Sequence, residues 1–583
     1  MMEFIATNMA PIMFASLIIF LLIGYPVAFA LAANGLMFFI IGVELAPLSN
    51  GVITLNWPLL NALPDRFFGT MSNDTMLAIP FFTFMGVILE KSGMAEDLLD
   101  TIGQLFGSIR GGLAFAVVLV GTMLAATTGV VAASVIAMGL ISLPIMLRYG
   151  YDRSLSAGVI AASGTLAQIV PPSLVLIVLA DQLGRSAGDM FKGAMYPALA
   201  LSGIYLIYIA FVAIFRPHKV PALPPEARTL GKGMGSLGVI MGILILLALA
   251  LIVLFSQVMS RSNADILGGF AAVLVVYTYA QLDRKLKWNR LSYLAQQVVI
   301  VMVPPVTLIF LVLGTIFLGV ATPTEAGAMG AVGSLLLAAG KRRLNLDVIK
   351  QAIVSTTRLS TFVMFILLGA RVFSLTFYGV NGHIWVEHLL TSLPGGAQGF
   401  IIVVSILVFF LAFFLDYFEL AFIIVPLLVA PALALDIDLV WFGVILAINM
   451  QTSFMHPPFG FALHFLRSVA PRVPYIDKVT GKKTAPVTSG QIYLGAIPFM
   501  GLQLLMMVIV ICFPQLVMHY RGPAIDTSTV TITLPGVGGG LGAPGMGGPG
   551  GGLGAPGSGL GGGGLGGGLG APGGLGAPAP AGN

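Results

Sequence analysis

Two short polar clusters interrupt long apolar sequence, and each is followed by a double proline. The first holds Ser163, Gly164, Thr165 and Gln168 ahead of Pro171-Pro172; the second holds Asn449, Gln451, Thr452 and Ser453 ahead of Pro457-Pro458. Proline lacks a backbone donor, so a membrane helix broken there leaves carbonyl groups that hydrocarbon cannot satisfy but a bound ion can. Such carbonyls, with hydroxyl and amide oxygens nearby, suit a hard cation such as sodium, and the N-terminus of the following half-helix suits a carboxylate. Hairpin tips are expected to supply the other wall, near Thr127-Thr128-Gly129 in one half and near Asp416, Tyr417 and Glu419 in the other. The expected sodium ligands are therefore Thr127, Thr128, Ser163, Thr165, Asp416, Asn449 and Thr452. Expected substrate contacts are Thr128, Gly129, Ser163, Gly164, Thr165, Gln168, Pro171, Pro172, Arg371, Gln451, Pro457 and Pro458. For one cluster alone, a kinked helix whose Ser and Thr satisfy neighbouring backbone is an equal explanation; two clusters in register weigh against it.

The remaining charges inside apolar sequence have competing roles. Thr322-Pro323-Thr324-Glu325 reads as a capping box with proline at the first helical position, which makes Glu325 a helix start. Arg371 stands near the middle of an apolar run, where an ionisable group is costly enough to suggest function; a structural pair with Asp416 or Glu419 is the alternative. Asp438 opens an apolar segment and suits a helix cap. His456 and His464 fit packing or hydrogen bonding better than proton carriage. No nucleophile with a base, no phosphate-binding glycine loop followed by lysine, and no His/Cys spacing of a zinc site is present, so neither an enzyme nor ATP-driven transport by this chain is expected.

The elements that position these residues must be membrane spans. Of 583 residues, 57% are hydrophobic and 9% charged, against roughly 25% charged in soluble domains. The net charge of +5 is concentrated between apolar runs and reports orientation, not nucleic-acid affinity. Candidate spans cover 9–24, 25–43, 76–91, 155–181, 195–215, 236–256, 264–282, 298–319, 322–340, 360–379, 439–466 and 491–518, the first two short enough to be one tilted helix. Runs 112–148 and 398–435 exceed one span and are broken by Gly or Pro, which suits re-entrant hairpins. Basic clusters around 216–232, 284–290 and 341–343 mark cytoplasmic loops and place the two hairpins on opposite sides of the membrane.

Shifting the chain by 286 residues lays Pro171-Pro172 on Pro457-Pro458 and Asp152 on Asp438, so the two halves form an inverted repeat, the plan of many secondary carriers. The expected fold is all-α and polytopic, with about 12 transmembrane helices and two re-entrant hairpins. Residues 1–215 form the first half with hairpin 112–148, 216–297 a linker with a two-span insert, and 298–520 the second half with hairpin 398–435. The Gly-rich tail 521–583 lacks the apolar surface to offset its ordering entropy and is expected to be disordered.

Six stretches in order resemble the large membrane subunit of tripartite ATP-independent periplasmic (TRAP) transporters, the DctM family. They are Leu77-Ala78-Ile79-Pro80-Phe81-Phe82, Ile109-Arg110-Gly111-Gly112-Leu113-Ala114, Gly150-Tyr151-Asp152, Ala162-Ser163-Gly164-Thr165 with Val170-Pro171-Pro172-Ser173, Ala321-Thr322-Pro323-Thr324-Glu325-Ala326, and Pro457-Pro458-Phe459-Gly460. The resemblance spans nearly all of residues 9–520. It implies an elevator-type carrier of the bacterial inner membrane, coupled to Na+, with a small membrane subunit and a periplasmic substrate-binding protein that delivers a small carboxylate. His456 departs from the small hydroxyl residue usual before the second double proline, and Ala167 stands where Gly is common.

The expected function is sodium-coupled import of a small organic acid anion. The alternative is a stand-alone organic-anion carrier or exchanger without a binding protein; a membrane scaffold or membrane enzyme fits the paired clusters less well. Truncation after about residue 536 is expected to leave transport intact at equal membrane abundance, since the tail has little to pack with; uptake assays on truncated and full-length protein check this.

Overall fold

In the computed structural model, residues 2–228, 234–259, 261–288, 290–477 and 479–521 are described. The Gly-rich tail, and with it the expectation of disorder there, lies outside them apart from Arg521. Each half begins with helices that support the site: Met9–Leu22, Val27–Leu45 and Ala78–Lys91 in the first, Tyr293–Phe317, Pro323–Gly340 and Leu346–Gly379 in the second. A short helix then turns the chain, Met94–Leu105 and Gly382–Thr391, each entered through a left-handed residue, Gly93 and Asn381. Next comes a hairpin. Hairpin 1 pairs Gly112–Thr128 with Val131–Arg148; hairpin 2 pairs Gly396–Leu411 with a return limb that starts at Tyr417 and ends at Ala434. A broken helix follows, then a closing helix, Ala187–Phe215 or Ser489–Cys512.

Apolar runs 155–181 and 439–466, expected as spans broken at their double prolines, are each two helices. Broken helix 1 is Arg153–Thr165 and Leu174–Gln182, with a 3-10 turn at Leu166–Gln168; broken helix 2 is Leu439–Ser453 and Phe461–Val469. The cause is local: the double prolines carry no N–H, and both Pro171-Pro172 and Pro457-Pro458 are cis, so the ladder stops before them. Among the described residues eight helices are long and apolar enough to cross a bilayer, or nine if the pair Gly382–Thr391 and Gly396–Leu411, bent by 114°, is one span. Two of the eight, Val131–Arg148 and Tyr417–Ala434, are hairpin limbs, while the expected spans 9–24 and 76–91 are helices of only 14 residues, Met9–Leu22 and Ala78–Lys91, and the two broken helices are in pieces, so the expected dozen is not confirmed.

The inverted repeat is visible in polar detail. Asp152 caps broken helix 1 by accepting from the Leu155 amide at 2.9 Å, and Asp438 caps broken helix 2 by accepting from the Val440 and Trp441 amides. Each carboxylate also meets a base that follows the closing helix of its own half, Lys219 at 3.8 Å and Arg521 at 2.5 Å. Two residues before each acid, Gly150 and Asp436 both turn the chain at positive φ, +80° and +56°. Thr165 and Gln451 are equivalent under the 286-residue shift, and they bond to each other, Gln451 Nε2 donating to Thr165 Oγ1 at 3.3 Å. Residues that a symmetry operation exchanges can touch only beside its axis. The pseudo-twofold therefore passes between the two polar clusters.

Packing locks the halves together there. A Cβ at Gly158 would collide with the backbone of Gly495, and one at Gly495 with the backbone of Ser154, so broken helix 1 crosses the closing helix of the other half at backbone distance. Gln503 of that helix donates to Thr165 Oγ1 at 3.2 Å. The two-span insert, Met234–Phe255 and Arg261–Leu286, packs on Tyr293–Phe317 through Ile240, Val276, Ala280 and Val299. Its root beside Tyr293–Phe317 is fixed by buried Asp283, which accepts from the Arg290 and Leu291 amides and from Gln296 Nε2.

The loop after broken helix 2 forms a two-residue ribbon, Tyr475–Ile476 with Lys483–Thr484. It straps onto hairpin 1: Arg148 Nε donates to both oxygens of Asp477 at 3.0 Å, and Thr480 donates to Asp477 from its amide and hydroxyl. Arg467 also reaches the Val487 carbonyl. Desolvation alone would raise the Asp477 pKa, but the hydrogen bonds from Thr480 and Arg148 outweigh it and hold the carboxyl at about 2. A depressed carboxyl stabilises the fold above its unfolded value, near 3.9, and that contribution is lost as pH falls towards 2. Asp477→Asn is expected to cost about 1 kcal/mol at neutral pH, a difference constant from pH 5 to 8 and shrinking below pH 4; thermal unfolding of both proteins against pH checks it.

Candidate functional site

Hairpin 1 turns at Gly129, whose φ of +58° a residue with a side chain would adopt only under strain, and whose would-be Cβ lies 3.2 Å from Leu174. Thr127 is buried and donates to the Leu124 carbonyl at 2.9 Å. Thr128 ends the helix, and its side chain lies outside the described residues. Hairpin 2 turns through Ala412–Leu415, and its return limb starts with a capping box: Asp416 accepts from the Glu419 amide at 2.8 Å while Glu419 accepts from the Asp416 amide at 2.8 Å. The next turn, Leu420–Ile424, is a π-helix, a form concentrated at functional positions.

The tips meet the breaks. Tyr417, buried beside Asp416, donates from its hydroxyl to the Val175 carbonyl at 2.8 Å, tying hairpin 2 to the second piece of broken helix 1. A cavity of about 240 Å³ opens beside this contact. Its walls are the hairpin 1 tip at Gly129–Ala132, Gln168 and Leu174 at the first break, Asp416–Phe418 at the hairpin 2 tip, and Phe454 and Phe461 on either side of the second break. Leu359 and Phe362 of the supporting helix Leu346–Gly379 close it.

Oxygen atoms without hydrogen-bond partners cluster in the polar segments. Ser163 Oγ, Gln168 Oε1, Asn449 Oδ1 and Gln451 Oε1 are all buried and unpartnered, although groups of this kind normally find partners. Asn449 Nδ2 donates to the Ser405 carbonyl at 2.7 Å, which aims the residue at the first limb of hairpin 2. Thr452 and Ser453 donate back to Asn449 and Met450, as Thr165 does to Ala162. Gly164 packs against Val135 of hairpin 1 with no room for a Cβ.

Of the expected site residues, Gly129, Gln168 and Asp416 line the cavity, while Ser163, Thr165, Asn449, Gln451 and Thr452 are buried and do not line it. Arg371 is placed apart. Its Nε donates to Thr70 Oγ1 at 3.1 Å, and it makes no ion pair with Asp416 or Glu419 among the described residues, so the pair considered for it is not formed. It also stands nine residues beyond Phe362 on the same helix, about 14 Å along the axis. Glu325 forms the expected capping box with Thr322, and Asp438 is the expected cap. His456 is buried with its ring stacked on Phe413 at 4.1 Å and edge-on to Phe409 at 4.5 Å, holding hairpin 2 against the second break. The Asp416–Glu419 box, the Tyr417 tie and the aromatic wall were missed from sequence, although the Asp-x-x-Glu spacing repeats the Thr-x-x-Glu pattern recognised at 322–325.

The profile of the DctM component of tripartite ATP-independent periplasmic transporters matches residues 14–516. The chain belongs to this family. It is 28% identical over 416 residues to the C4-dicarboxylate TRAP transporter large permease protein DctM of Pseudomonas aeruginosa, covering 71% of this chain and 82% of that one. It is 24% identical over 524 residues to the protein of the same name in Vibrio cholerae, covering 86% and 95%, and 21% identical over 503 residues to the sialic acid TRAP transporter permease protein SiaT of Haemophilus influenzae, covering 86% and 66%. The crystal structure of the Alcanivorax borkumensis YdaH transporter aligns with a TM-score of 0.47 at 15% identity, covering 83% of this chain and 98% of that one. Membership, with eight or more apolar helices, makes this a multi-pass protein of the bacterial inner membrane that works in transport and not in catalysis. It also implies two companions, a small membrane subunit and a periplasmic binding protein.

Proposed function

We propose that this permease couples inward sodium movement to the import of a small organic acid anion handed over by the binding protein. The observation that carries the reading is the Asp416–Glu419 pair. Two carboxyl groups share one turn at the hairpin 2 tip, inside the membrane-embedded part of the chain, and neither has a basic partner among the described residues. Charge in such a place is expensive unless compensated. A sodium ion near the tip would supply the compensation, and the unpartnered oxygens of Ser163, Asn449 and Gln451 are the right chemistry to help hold ions at the two breaks.

The cavity lies at the junction between the site-bearing elements and the supporting helix Leu346–Gly379, which favours an elevator motion of hairpins and broken helices against that support. A carrier acting without a binding protein is the second reading. It is separated from the first by uptake into proteoliposomes with and without that protein.

Asn caps a helix as well as Asp does, so Asp416→Asn keeps the box and removes only charge. The sodium concentration for half-maximal uptake is expected to rise by about tenfold or more, one lost charge interaction of roughly 1.4 kcal/mol. Asp438→Asn, a change at a cap far from the cavity, leaves it unaltered. Flux measured against sodium concentration checks both; wild-type dependence in well-folded Asp416→Asn protein sinks the assignment.

A further inference from the structure

The wall of the candidate substrate cavity is not that expected for a dicarboxylate or a polyhydroxylated acid. Five phenylalanines, Phe362, Phe418, Phe454, Phe461 and Phe465, surround it, with aliphatic Leu174, Val175 and Leu359 between them. Among the described residues no lysine, arginine or histidine lines it, and the one charged side chain that does is the acid Asp416. Phe362 and Phe461 keep 44% and 46% of their surface open, so apolar area remains for a ligand to cover.

Positive potential comes only from backbone. Leu174 and Phe461 begin the second pieces of the two broken helices, each nine residues long, and both line the cavity. A helix N-terminus is equivalent to roughly half a positive charge, so the two together amount to about one. Gln168 stands at the first of them, 2% exposed and with its Oε1 unpartnered, an amide free to turn a donor towards an anion. One carboxylate can be matched in this way. A second would face Asp416 or phenyl rings with nothing to bind it, and a sugar-like chain would leave its hydroxyls unpaired against carbon.

We infer that the transported anion is a monocarboxylate with an apolar body the size of an aromatic ring or a branched chain, held by its carboxylate at Gln168 and the half-helix starts and by its body among the phenylalanines. An apolar cavity of roughly 150 Å³ already admits benzene, and this one, about 240 Å³, has room for a ring and a short acid arm. The inference rests on the proposed sodium-coupled import of a carboxylate and specifies its substrate class.

The test is equilibrium binding to the permease with its small subunit in lipid nanodiscs, using 3-phenylpropanoate and succinate in sodium chloride and in choline chloride, with protein-free nanodiscs as blank. Phenylpropanoate is expected to bind about tenfold or more tightly than succinate, in sodium only. Phe461→Ala and Phe362→Ala should each weaken it about fivefold, and Phe461→Leu, which keeps an apolar side chain, about twofold or less. Succinate binding as tightly, or phenylpropanoate affinity unchanged in both alanine variants of normal thermal stability, overturns the inference. Sodium-dependent preference for succinate would do so while leaving the proposed import of a carboxylate intact; binding of neither acid in sodium would overturn both.

Discussion

Hydrocarbon offers no hydrogen bonds, so every backbone group at membrane depth needs a partner from the protein or from a ligand. This structure breaks that supply deliberately at two places. The double prolines stop two buried apolar helices, and the surrounding side chains make good only part of the loss: Ser173 caps one restarted half-helix, while Asn449 spends its amide on the Ser405 carbonyl. What stays unpaired is mostly oxygen, which is the inventory a hard cation needs. The hairpins, the tie from Tyr417 and the ring stack at His456 all serve to hold those two breaks in register.

Placing both breaks about one pseudo-twofold axis gives the site two half-helix starts aimed at one cavity and two polar clusters in contact through Thr165 and Gln451. The same symmetry fixes how the site is carried. Each broken helix is capped by an acid, Asp152 or Asp438, that is itself anchored to the end of its half, and the glycine crossing at Gly158 and Gly495 leaves no slack between halves. The supporting helix Leu346–Gly379 touches the cavity from outside this group through Leu359 and Phe362, the arrangement that the proposed elevator motion requires.

Much of this was legible in the sequence where the cause is local. Prolines, caps and left-handed turns act within a few residues, so the breaks, the Thr322–Glu325 box, the Asp438 cap and the tip at Gly129 could be read directly. Asp416 stands at the expected tip, where a bound cation or Arg371 is the expected compensation for its charge; Arg371 bonds Thr70 instead, and the hydrogen bond from the Glu419 amide is a local cap that leaves the charge uncompensated. Contacts between distant segments carry no local signature. The strap from Arg148 to Asp477 spans 329 residues, and the aromatic wall collects phenylalanines from three separate regions, each of which on its own looks like ordinary lipid-facing sequence.

The central claim is that a bound cation completes the polar ring formed by the two tips and the two breaks. Hydrogen–deuterium exchange of the purified permease in sodium and in potassium at equal ionic strength tests it most directly. The account predicts slower exchange in sodium confined to residues 125–132, 163–174, 412–420 and 449–461, with the supporting helices unchanged. Equal exchange in the two salts at those segments, in protein that still transports, would contradict it.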